Sequence, residues 1–457
     1  MTERAGYEEI LGEGRVEFLF TRFEFPANSK MVVFNASKYI LTGTTPHATK
    51  SVAQGLLLSN GFIHPHGKGL YSLLPLGQRV VQKLSALIDL ELDSIGAMKI
   101  SMPILASREL WEKTGRWQSM GSELIKMTDR TGVELCLQPT AEEMCTQIVG
   151  QLPQVKKSAL PLMLYQTTEK FRDEMNPRFG LLRGRQFLMK DLYSFDANHH
   201  SATETYELVG RTYERILTKR LQLDVFKVRA DSGVHGGKLS HEYHIRNDLQ
   251  EDGIHFCHKC ESGVKRDEFP KMATCLRCEA EKNHETFSTI EVAHTFQLGT
   301  RYSEIFGAKT TAQPMEMCCF GIGVTRLLPA AVEALAPSND IIRLPKVIAP
   351  FDAAVVVTKA LQTNVLVQYT LSTLNQRLKG GILLDDRVDQ NVGKRLKQLN
   401  RLGIPRVVVI GKTTEETLKS TSPGEPRMEF LVAETTKDDL QKKGDLSLNE
   451  LMQIIDC

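Results

Sequence analysis

Apolar residues follow a helical period between residues 75 and 96. Val80 and Leu84 begin one apolar stripe, as on the buried face of an amphipathic helix. Because proline fits the first turn of a helix, Pro75 predicts where this helix starts, and Gly96 predicts where it ends. The next segment alternates apolar and polar side chains, which predicts a half-buried strand with three residues on one face: Ile100, Met102 and Ile104.

A pair of antiparallel strands joined by a loop is predicted between Glu169 and Asp191. Because successive side chains of a strand point to opposite faces, Arg172 and Glu174 are expected to share one surface. The connecting loop contains the turn formers Asn176-Pro177 and Gly180. The segment therefore predicts a hairpin that carries a cation and a carboxylate side by side.

The loop and the return strand of this hairpin add further candidate binding groups. Arg178 and Arg183 lie in the loop, and Phe187 lies on the return strand. Guanidinium groups bind phosphates, a carboxylate accepts hydrogen bonds from an amine, and an aromatic ring stacks on a base. This set suits a nucleoside triphosphate. The alternative is a surface hairpin with ordinary ion pairs, which contribute little to stability.

Strand and helix patterns alternate in the last quarter of the chain. The apolar runs AAVVV, GILLDD and PRVVVIG predict strands, and helical patterns over 366–378 and 393–402 separate them. This alternation predicts a small α/β domain after the proline-containing linker 344–350. Six Lys or Arg residues and one acid lie between Arg387 and Arg406. They indicate either a basic surface for RNA or the solvated face of an amphipathic helix.

Composition narrows the class of protein only slightly. The chain has 457 residues, of which 41% are hydrophobic and 25% charged, as in ordinary globular proteins of two or three domains. The formal charge is +2, so any contact with a polyanion depends on a local patch. No apolar run is long enough to cross a bilayer, and we therefore expect no membrane association.

The first fifty residues are predicted to be an extension of the folded chain. No Asp or Glu occurs between residues 25 and 88, and acid-poor leaders are typical of import into organelles. Met31 is then a candidate start, with residues 1–30 upstream of it. The alternative is a short disordered tail before a segment that lacks acids by chance.

Two CxxC pairs predict a structural zinc site. Cys257 and Cys260 form the first pair, and Cys275 and Cys278 form the second after fourteen intervening residues. Four thiolates complete a tetrahedral zinc site and leave no open coordination position. The use of cysteine in this chain therefore fits a reducing compartment better than a disulfide framework. Four free thiols on a solvent loop are the alternative.

A loop with a threonine and a carboxylate two residues apart is a candidate site for an ammonium group. Thr140 and Glu142 follow a predicted strand, VELCL, and Pro139 marks the point where the chain leaves the sheet. A hydroxyl and a carboxylate can converge on a small ammonium ion. The alternative is a capping box at a helix start, formed by Thr140 and Glu143.

The hairpin resembles motif 2 of the class II aminoacyl-tRNA synthetases. Its FRDE sequence begins at Phe171 and is followed by PRFG, LLRGR and FLMKDLYSF, which is most similar to bacterial-type and mitochondrial prolyl-tRNA synthetases. The helix and strand over residues 75–104 resemble motif 1, and GIGVTR at Gly321 to Arg326 resembles motif 3. The resemblance covers residues 51–457.

This resemblance implies an α+β fold class. An antiparallel class II sheet flanked by helices is expected, followed by a C-terminal α/β anticodon-binding domain with a mixed sheet. The implied domains are an N-terminal extension or import leader at 1–50, a catalytic domain at 51–343 and an anticodon-binding domain at 344–457. Bacterial-type relatives carry a large editing domain before motif 3. Here a connector at 250–290 stands in its place, so editing by an inserted domain is not expected.

The resemblance also assigns roles to single residues. It implies catalytic roles for Arg172 and Arg326. The residues implied to bind proline are Thr140, Glu142, Arg172, His241 and Cys319. Those implied to bind ATP are Arg172, Glu174, Arg183, Phe187, Gln297, Thr300 and Arg326. Those implied to contact the tRNA anticodon are Asp386, Arg387 and Lys394. The sequence departs from the bacterial pattern at Ala141, where relatives usually have histidine.

The activity implied is activation of L-proline with ATP and Mg²⁺ to prolyl-adenylate, followed by transfer to tRNA(Pro). A homodimer in the mitochondrial matrix is implied, with the cytoplasm as the alternative location. A threonyl- or glycyl-type class IIa synthetase is one alternative function, disfavoured by the TAE loop and the SHEY segment. A non-catalytic class II-like accessory factor is the other, disfavoured because the arginines implied to bind ATP are present.

Overall fold

The computed structural model describes residues 33–455 apart from 42, 45–48, 154, 232, 234–235, 238, 267–274, 276, 280–283, 312, 421–423 and 435–436. The candidate start Met31 and most of the predicted extension lie outside these residues. Within the described part, two large sheets are formed, one of nine strands and one of six. A two-stranded and a three-stranded sheet accompany them.

The described chain contains twenty strands and thirteen α-helices, and its five strands between residues 225 and 299 follow one another without an α-helix between them. The strands are β1 (Phe34–Asn35), β2 (Ile63–Gly67), β3 (Leu70–Leu73), β4 (Met98–Lys99), β5 (Leu105–Ser107), β6 (Lys126–Thr128), β7 (Glu134–Leu137), β8 (Leu162–Phe171), β9 (Gln186–Asp196), β10 (Val225–Arg229), β11 (Leu239–Arg246), β12 (Asp252–Cys257), β13 (Ser262–Lys265), β14 (His284–Gly299), β15 (Glu316–Gly323), β16 (Ala353–Val357), β17 (Ile382–Asp385), β18 (Arg406–Ile410), β19 (Met428–Val432) and β20 (Gln441–Leu446). The helices are α1 (Ala36–Tyr39), α2 (Val52–Ser59), α3 (Pro75–Asp93), α4 (Arg108–Glu112), α5 (Arg116–Ser119), α6 (Glu142–Gly150), α7 (His199–Glu214), α8 (Arg301–Phe306), α9 (Val324–Leu335), α10 (Val365–Arg377), α11 (Val392–Arg401), α12 (Lys412–Lys419) and α13 (Leu448–Ile454).

The nine-stranded sheet has the order β11-β10-β13-β12-β14-β15-β9-β8-β4. The pairs β10–β13 and β4–β8 are parallel, and the other pairs are antiparallel. Helices lie against this sheet, so the predicted α+β fold with an antiparallel class II sheet is confirmed.

The two faces of the nine-stranded sheet have different cover. On one face, which we name the α7 face, Tyr206 and Tyr213 of α7 pack against Phe320 of β15 at ring distances of 5.8 and 6.3 Å. On the opposite face, which we name the α6 face, Cys145 of α6 is buried with Tyr193 of β9. A residue on either strand therefore faces one layer or the other according to its position in the alternation.

The helix predicted from the apolar stripe is α3. It begins at Pro75 and ends at Asp93, and its buried side chains include those of Val80 and Leu84. The strand predicted to follow is shorter than expected, since only Met98–Lys99 forms β4. Ile100 adds one more backbone hydrogen bond, its N–H donating to the Tyr165 carbonyl at 2.8 Å. The alternating pattern beyond it lies outside the sheet.

The six-stranded sheet has the order β1-β17-β16-β18-β19-β20 and is mixed, as predicted. Strands β17, β16 and β18 are parallel, whereas β19 and β20 run antiparallel. The first strand, β1, comes from the predicted N-terminal extension and pairs with β17 through Phe34 and Leu383. Part of the extension therefore completes an edge of the C-terminal sheet.

Helix α3 contacts the region of this second sheet through Arg79 and through Lys83, whose Nζ lies 3.0 Å from the Asp352 carboxylate just before β16. The Arg79 guanidinium lies over the rings of Phe34 and Phe351 at 4.4 and 4.2 Å. It also donates to the carbonyl oxygens of Pro350 at 2.7 Å and Gly380 at 2.8 Å. Stacking and hydrogen bonds to one planar cation thus connect the two sheets. Among the residues described, no helix combines the length and apolar character needed to span a bilayer.

Candidate active site

The predicted hairpin is formed by β8 and β9, which pair from Leu162 opposite Phe195 to Phe171 opposite Gln186. The β8 strand ends at Phe171, so Arg172 lies just after the strand instead of within it. The Arg172 N–H still donates to the Arg185 carbonyl at 2.9 Å. Arg172 and Glu174 were predicted to lie on one face of a strand. They lie instead in the first residues of the loop that follows β8.

Arg172 lies among charged groups without a hydrogen-bonded counter-ion at Nε. Its guanidinium is 5.3 Å from the ring of Phe187. The Nε atom is buried and has no hydrogen-bond partner among the described residues. Burial and then the positive charge of Arg326 lower the pKa of Arg172. Two nearby guanidinium groups and an unused donor are properties of an anion-binding site.

Arg326 lies on the first turn of α9, at the end of β15. Its Nη1 donates to the Glu291 carbonyl oxygen at 3.0 Å and lies 3.6 Å from the Glu291 carboxylate. Although burial opposes ionisation, hydrogen bonding to His294 and the charge of Arg326 lower the pKa of Glu291. Glu291 therefore remains ionised and holds the Arg326 side chain beside Arg172.

The loop arginines are engaged by carboxylates. Arg183 Nε lies 2.9 Å from Glu174 Oε2, and Arg183 Nη1 lies 2.9 Å from Glu251 Oε1. Arg178 Nε lies 2.7 Å from Glu251 Oε2. The structure thus brings the predicted residues Glu174 and Arg183 together. It adds Glu251, which sequence motifs did not indicate.

Thr140 and Glu142 converge as predicted for the ammonium-binding loop. The Thr140 hydroxyl lies 2.7 Å from both carboxylate oxygens of Glu142. The Cys319 thiol donates to Glu142 Oε1 at 3.3 Å, and burial followed by the charge of Glu142 raises the pKa of Cys319. The thiol is therefore neutral. The alternative capping box is not formed, because the N-cap of α6 is Ala141 without a side-chain cap.

A buried arginine supports this loop from below. Arg116, whose side chain is 0% exposed, donates from Nη1 to Glu142 Oε2 at 2.8 Å and lies 3.0 Å from Glu143 Oε2. Burial raises the pKa of Glu143, and the charge of Arg116 opposes that rise. One guanidinium thus faces two buried carboxyl groups. Arg116 follows no sequence motif, and only the fold brings α5 to α6.

A second buried contact fixes the backbone of the same loop. The Ala141 N–H donates to the Tyr193 hydroxyl at 2.9 Å, and that hydroxyl donates to Asp191 Oδ2 at 2.9 Å. Asp191 is also paired with Lys170 at 3.0 Å. The FLMKDLYSF segment contains Asp191 and Tyr193, but the sequence did not predict that these residues hold the loop at Thr140 to Glu142.

Two predicted site residues lie on the other side of the sheet. His241 pairs with Thr295, and Gln297 pairs with Cys318, so both side chains point to the α7 face. His241 Nδ1 lies 2.8 Å from the Tyr206 hydroxyl, and burial lowers its pKa to about 4. Gln297 donates to the Thr203 hydroxyl at 3.0 Å. Cys319 points to the opposite, α6 face, so strand alternation separates these two side chains from the Cys319 thiol.

Thr300 lies at the start of α8, where its hydroxyl donates to Glu304 Oε1 at 2.6 Å. Two residues later, the Tyr302 ring lies 5.8 Å from the Arg116 guanidinium. Tyr302 thus connects α8 with the Arg116 cluster, whereas the Thr300 hydroxyl binds within its own helix.

The four predicted zinc ligands come together. Cys257 Sγ lies 3.7 Å from Cys278 Sγ, and Cys260 Sγ lies 3.5 Å from Cys275 Sγ. All four sulfur atoms lie within 4.8 Å of one another. Four thiolates bound at about 2.3 Å around a tetrahedral zinc ion would be separated by about 3.8 Å. The thiol geometry fits such an ion and excludes a disulfide, whose sulfur atoms are about 2 Å apart.

The three residues predicted to contact the anticodon differ in accessibility. The Asp386 carboxylate accepts from the N–H and hydroxyl of Ser37 at 2.9 and 2.6 Å. Arg387 is paired with Asp385 at 2.6 Å, and Lys394 on α11 is exposed. Arg395 is fully buried against the same Asp385. The basic segment is thus partly internal, which its composition alone did not indicate.

Comparison with known proteins gives consistent relatives. A family model described as tRNA synthetase class II core domain (G, H, P, S and T) matches residues 125–335. A protein of Rattus norvegicus named probable proline–tRNA ligase, mitochondrial, is 42% identical over 80% of this chain and 78% of its own length. A proline–tRNA ligase of Ehrlichia ruminantium is 34% identical over 81% of this chain and 90% of its own.

Solved structures share the fold. The Giardia lamblia prolyl-tRNA synthetase in complex with prolyl-adenylate has a TM-score of 0.70 at 17% identity, covering 88% of this chain and 77% of that one. The Cryptosporidium parvum enzyme complexed with L-proline and AMP has a TM-score of 0.68 at 16% identity, covering 94% and 79%. The chain therefore belongs to the proline–tRNA ligase family of class II aminoacyl-tRNA synthetases.

Proposed function

We propose that this chain activates L-proline with ATP and transfers it to tRNA(Pro). The observation that carries the proposal is the meeting of two half-sites. An acidic cluster of Thr140, Glu142 and the Cys319 thiol suits an imino acid. Arg172 interacts electrostatically with the same Glu142 and with Arg326. A small zwitterion and a polyanion thus have adjacent binding groups.

In the first step, a carboxylate oxygen of proline attacks the α-phosphorus of ATP. The bond between the α-phosphorus and its bridging oxygen breaks, and pyrophosphate leaves. Arg172 bridges the proline carboxylate and the α-phosphate, and Arg183 and Arg326 hold the outer phosphates with Mg²⁺. Glu174 and Phe187 hold adenine. Positioning and charge stabilisation account for the catalysis, because the step needs no protein nucleophile.

Proline is held through its ammonium group and its ring. The Glu142 carboxylate accepts a hydrogen bond from the ammonium group of proline. The Thr140 hydroxyl holds that Glu142 carboxylate in place. The neutral Cys319 thiol provides a compact wall for the ring. Arg116 is shared between Glu142 and Glu143, and the ammonium group of proline supplies Glu142 with a second cationic partner.

Proline-dependent exchange of pyrophosphate into ATP tests this function. The purified chain is expected to catalyse exchange with proline and not with threonine or glycine. Weak exchange with alanine and cysteine is also expected. The pocket cannot exclude them completely, because a missing methylene contributes only about 1 to 3 kcal/mol to the selection of proline. Exchange with threonine or glycine alone would favour the class IIa alternative. Absence of exchange with every amino acid would favour the accessory-factor alternative.

Residues 344–457 are proposed as the anticodon-binding domain and residues 51–343 as the catalytic domain, with 1–50 as the extension. Lys394 is exposed on α11 and supplies a cation for the RNA backbone. Asp386 lies at the same sheet edge as Ser37 and offers acceptors to a base. Arg387 shapes that edge through Asp385.

A homodimer in the mitochondrial matrix is proposed as the working state. Leu90 of α3 and Met98 of the edge strand β4 are exposed apolar side chains, 65% and 49% accessible. An exposed apolar edge suits an interface with a second copy. Relatives from rat, human and fission yeast carry mitochondrial names, which supports this location. The bacterial relatives leave the cytoplasm as the alternative.

A structural zinc ion is proposed at Cys257, Cys260, Cys275 and Cys278. The purified protein is expected to hold one zinc ion per chain. The Cys257→Ser/Cys260→Ser variant should lose the metal and unfold at a lower temperature, because two ligands cannot close a tetrahedral site. Metal analysis and thermal unfolding measure both effects. The matched control is His258→Ala, since His258 lies between the two cysteines and is paired with Glu285.

The control variant is expected to keep its zinc and its unfolding temperature. If the unaltered chain were purified without zinc and were stable without it, the metal proposal would be contradicted. Either result leaves the exchange assay independent, because the cysteine cluster includes no residue assigned to proline or ATP.

A further inference from the structure

A single carboxylate outside the arginine loop contacts both of its arginines. Glu251 belongs to the connector between β11 and β12, and its side chain is only 8% exposed. Its two oxygens are divided between Arg183 Nη1, at 2.9 Å, and Arg178 Nε, at 2.7 Å. The arginine side chains themselves are 41% and 45% exposed. The buried Glu251 carboxylate therefore holds two more exposed arginine side chains.

The backbone before Glu251 has an unusual conformation. Gln250 has a φ of 58°, in the left-handed region that side chains other than glycine seldom adopt. Such a conformation is unfavourable by itself and persists where surrounding contacts hold it. Here the following residue makes those contacts, through the two arginines. The turn and the ion pairs form one local unit.

The loop has few other constraints on its arginine side chains. Its backbone is closed by the Arg178 N–H, which donates to the Arg183 carbonyl at 3.1 Å. Arg183 has a second carboxylate partner, Glu174, within the loop mouth. Glu251 is thus the contact from outside the loop that fixes both guanidinium groups in relation to the sheet.

We propose that Glu251 is a positioning residue for ATP, acting through Arg178 and Arg183. This inference rests on the proposed function, in which Arg183 holds the outer phosphates. Each arginine loses side-chain conformational entropy when it is fixed. Glu251 imposes that order before the nucleotide arrives, so the phosphates meet arginines already in place. The connector therefore supports the ATP half of the site.

The same contacts also have an effect that opposes ATP binding. A carboxylate beside two arginines also lowers the positive potential that attracts phosphate. If that effect dominated, removing the charge would strengthen ATP binding. The two effects have opposite signs on the Michaelis constant for ATP, so one measurement separates them.

The test is Glu251→Gln, assayed by proline-dependent pyrophosphate exchange over a range of ATP and of proline concentrations. The KM for ATP is expected to rise about three- to tenfold, since the two partly exposed ion pairs that hold Arg178 and Arg183 are lost. The KM for proline should change less than about twofold. Glu251→Asp should recover part of the ATP affinity because it retains the charge.

The matched control is Glu285→Gln. Glu285 also forms an ion pair in the connector region, with Arg246 at 2.7 Å, and does not contact the loop. It should leave both Michaelis constants unchanged. An ATP KM that is unchanged or lower in Glu251→Gln would overturn the inference, as would an equal rise in both constants. Absence of exchange in the unaltered chain would overturn the proposed function and this inference with it.

Discussion

Replacing Arg172 by alanine is expected to reduce proline-dependent pyrophosphate exchange at least ten- to a hundredfold. A charge-assisted hydrogen bond contributes about 1.5 to 3 kcal/mol, and the loss is greater where the interaction strengthens in the transition state. The buried Nε of Arg172 has no other partner among the described residues, so its donor is available for the reacting groups. Measured kcat/KM values for exchange give the size of the effect.

The control for this variant is Arg172→Lys. Lysine keeps the charge and loses the planar pair of donors, so it should recover only part of the activity. Thermal unfolding of both variants separates a loss of chemistry from a loss of folding. Near-normal exchange by a folded Arg172→Ala protein would contradict the role proposed for this residue.

Replacing Arg116 by methionine is expected to lower the free energy of unfolding by about 3 to 5 kcal/mol, because it leaves buried carboxylates unpaired. Glu142 and Glu143 both contact Arg116 Nη1, and the side chains are 0% exposed. Denaturant unfolding measures the loss. Exchange kinetics should also show a raised KM for proline, since Glu142 loses the partner that holds it.

The companion variant Arg116→Met/Glu143→Gln is the control. It removes one cation and one anion together, and it should recover much of the lost stability. If the single variant were as stable as the unaltered chain, the buried cluster would not have the energetic role assigned to it.

The same cluster sets the sign of a pH effect. The pKa of Glu143 is raised in the folded chain, with burial as the largest cause. The folded state therefore binds its proton more tightly than the unfolded state, and the contribution to stability falls as pH rises above the unfolded pKa of about 4.3. Removing Arg116 raises that pKa further. The Arg116→Met variant should consequently gain stability as the pH is lowered from 7 towards 5.

Some of the groups that meet in the candidate site could be predicted from local sequence. The FRDE and GIGVTR segments placed Arg172 and Arg326, and the structure brings both arginines to one end of the nine-stranded sheet. The CxxC spacing identified four cysteines whose sulfur atoms meet within 4.8 Å. In each case the relevant groups lie close together in the chain or belong to a recurring motif.

Other parts of the site could not be predicted in this way. The resemblance implies that His241 binds proline and Gln297 binds ATP, and it does not indicate that strand alternation and pairing register turn both side chains to the α7 face, away from the Cys319 thiol. A one-residue change in register reverses the face that a side chain occupies. No local pattern fixes that register relative to a pocket built from other strands.

The sequence by itself determined the helix and strand periods, the order of the motifs and the chemical types of the binding groups, because these depend on backbone geometry and neighbouring residues. The tertiary structure decided which distant groups meet: Arg116 with Glu142, Ala141 with Tyr193, and Glu251 with Arg183. Such contacts depend on strand register, loop closure and burial across the whole fold, and these are properties of the packed chain instead of any single segment.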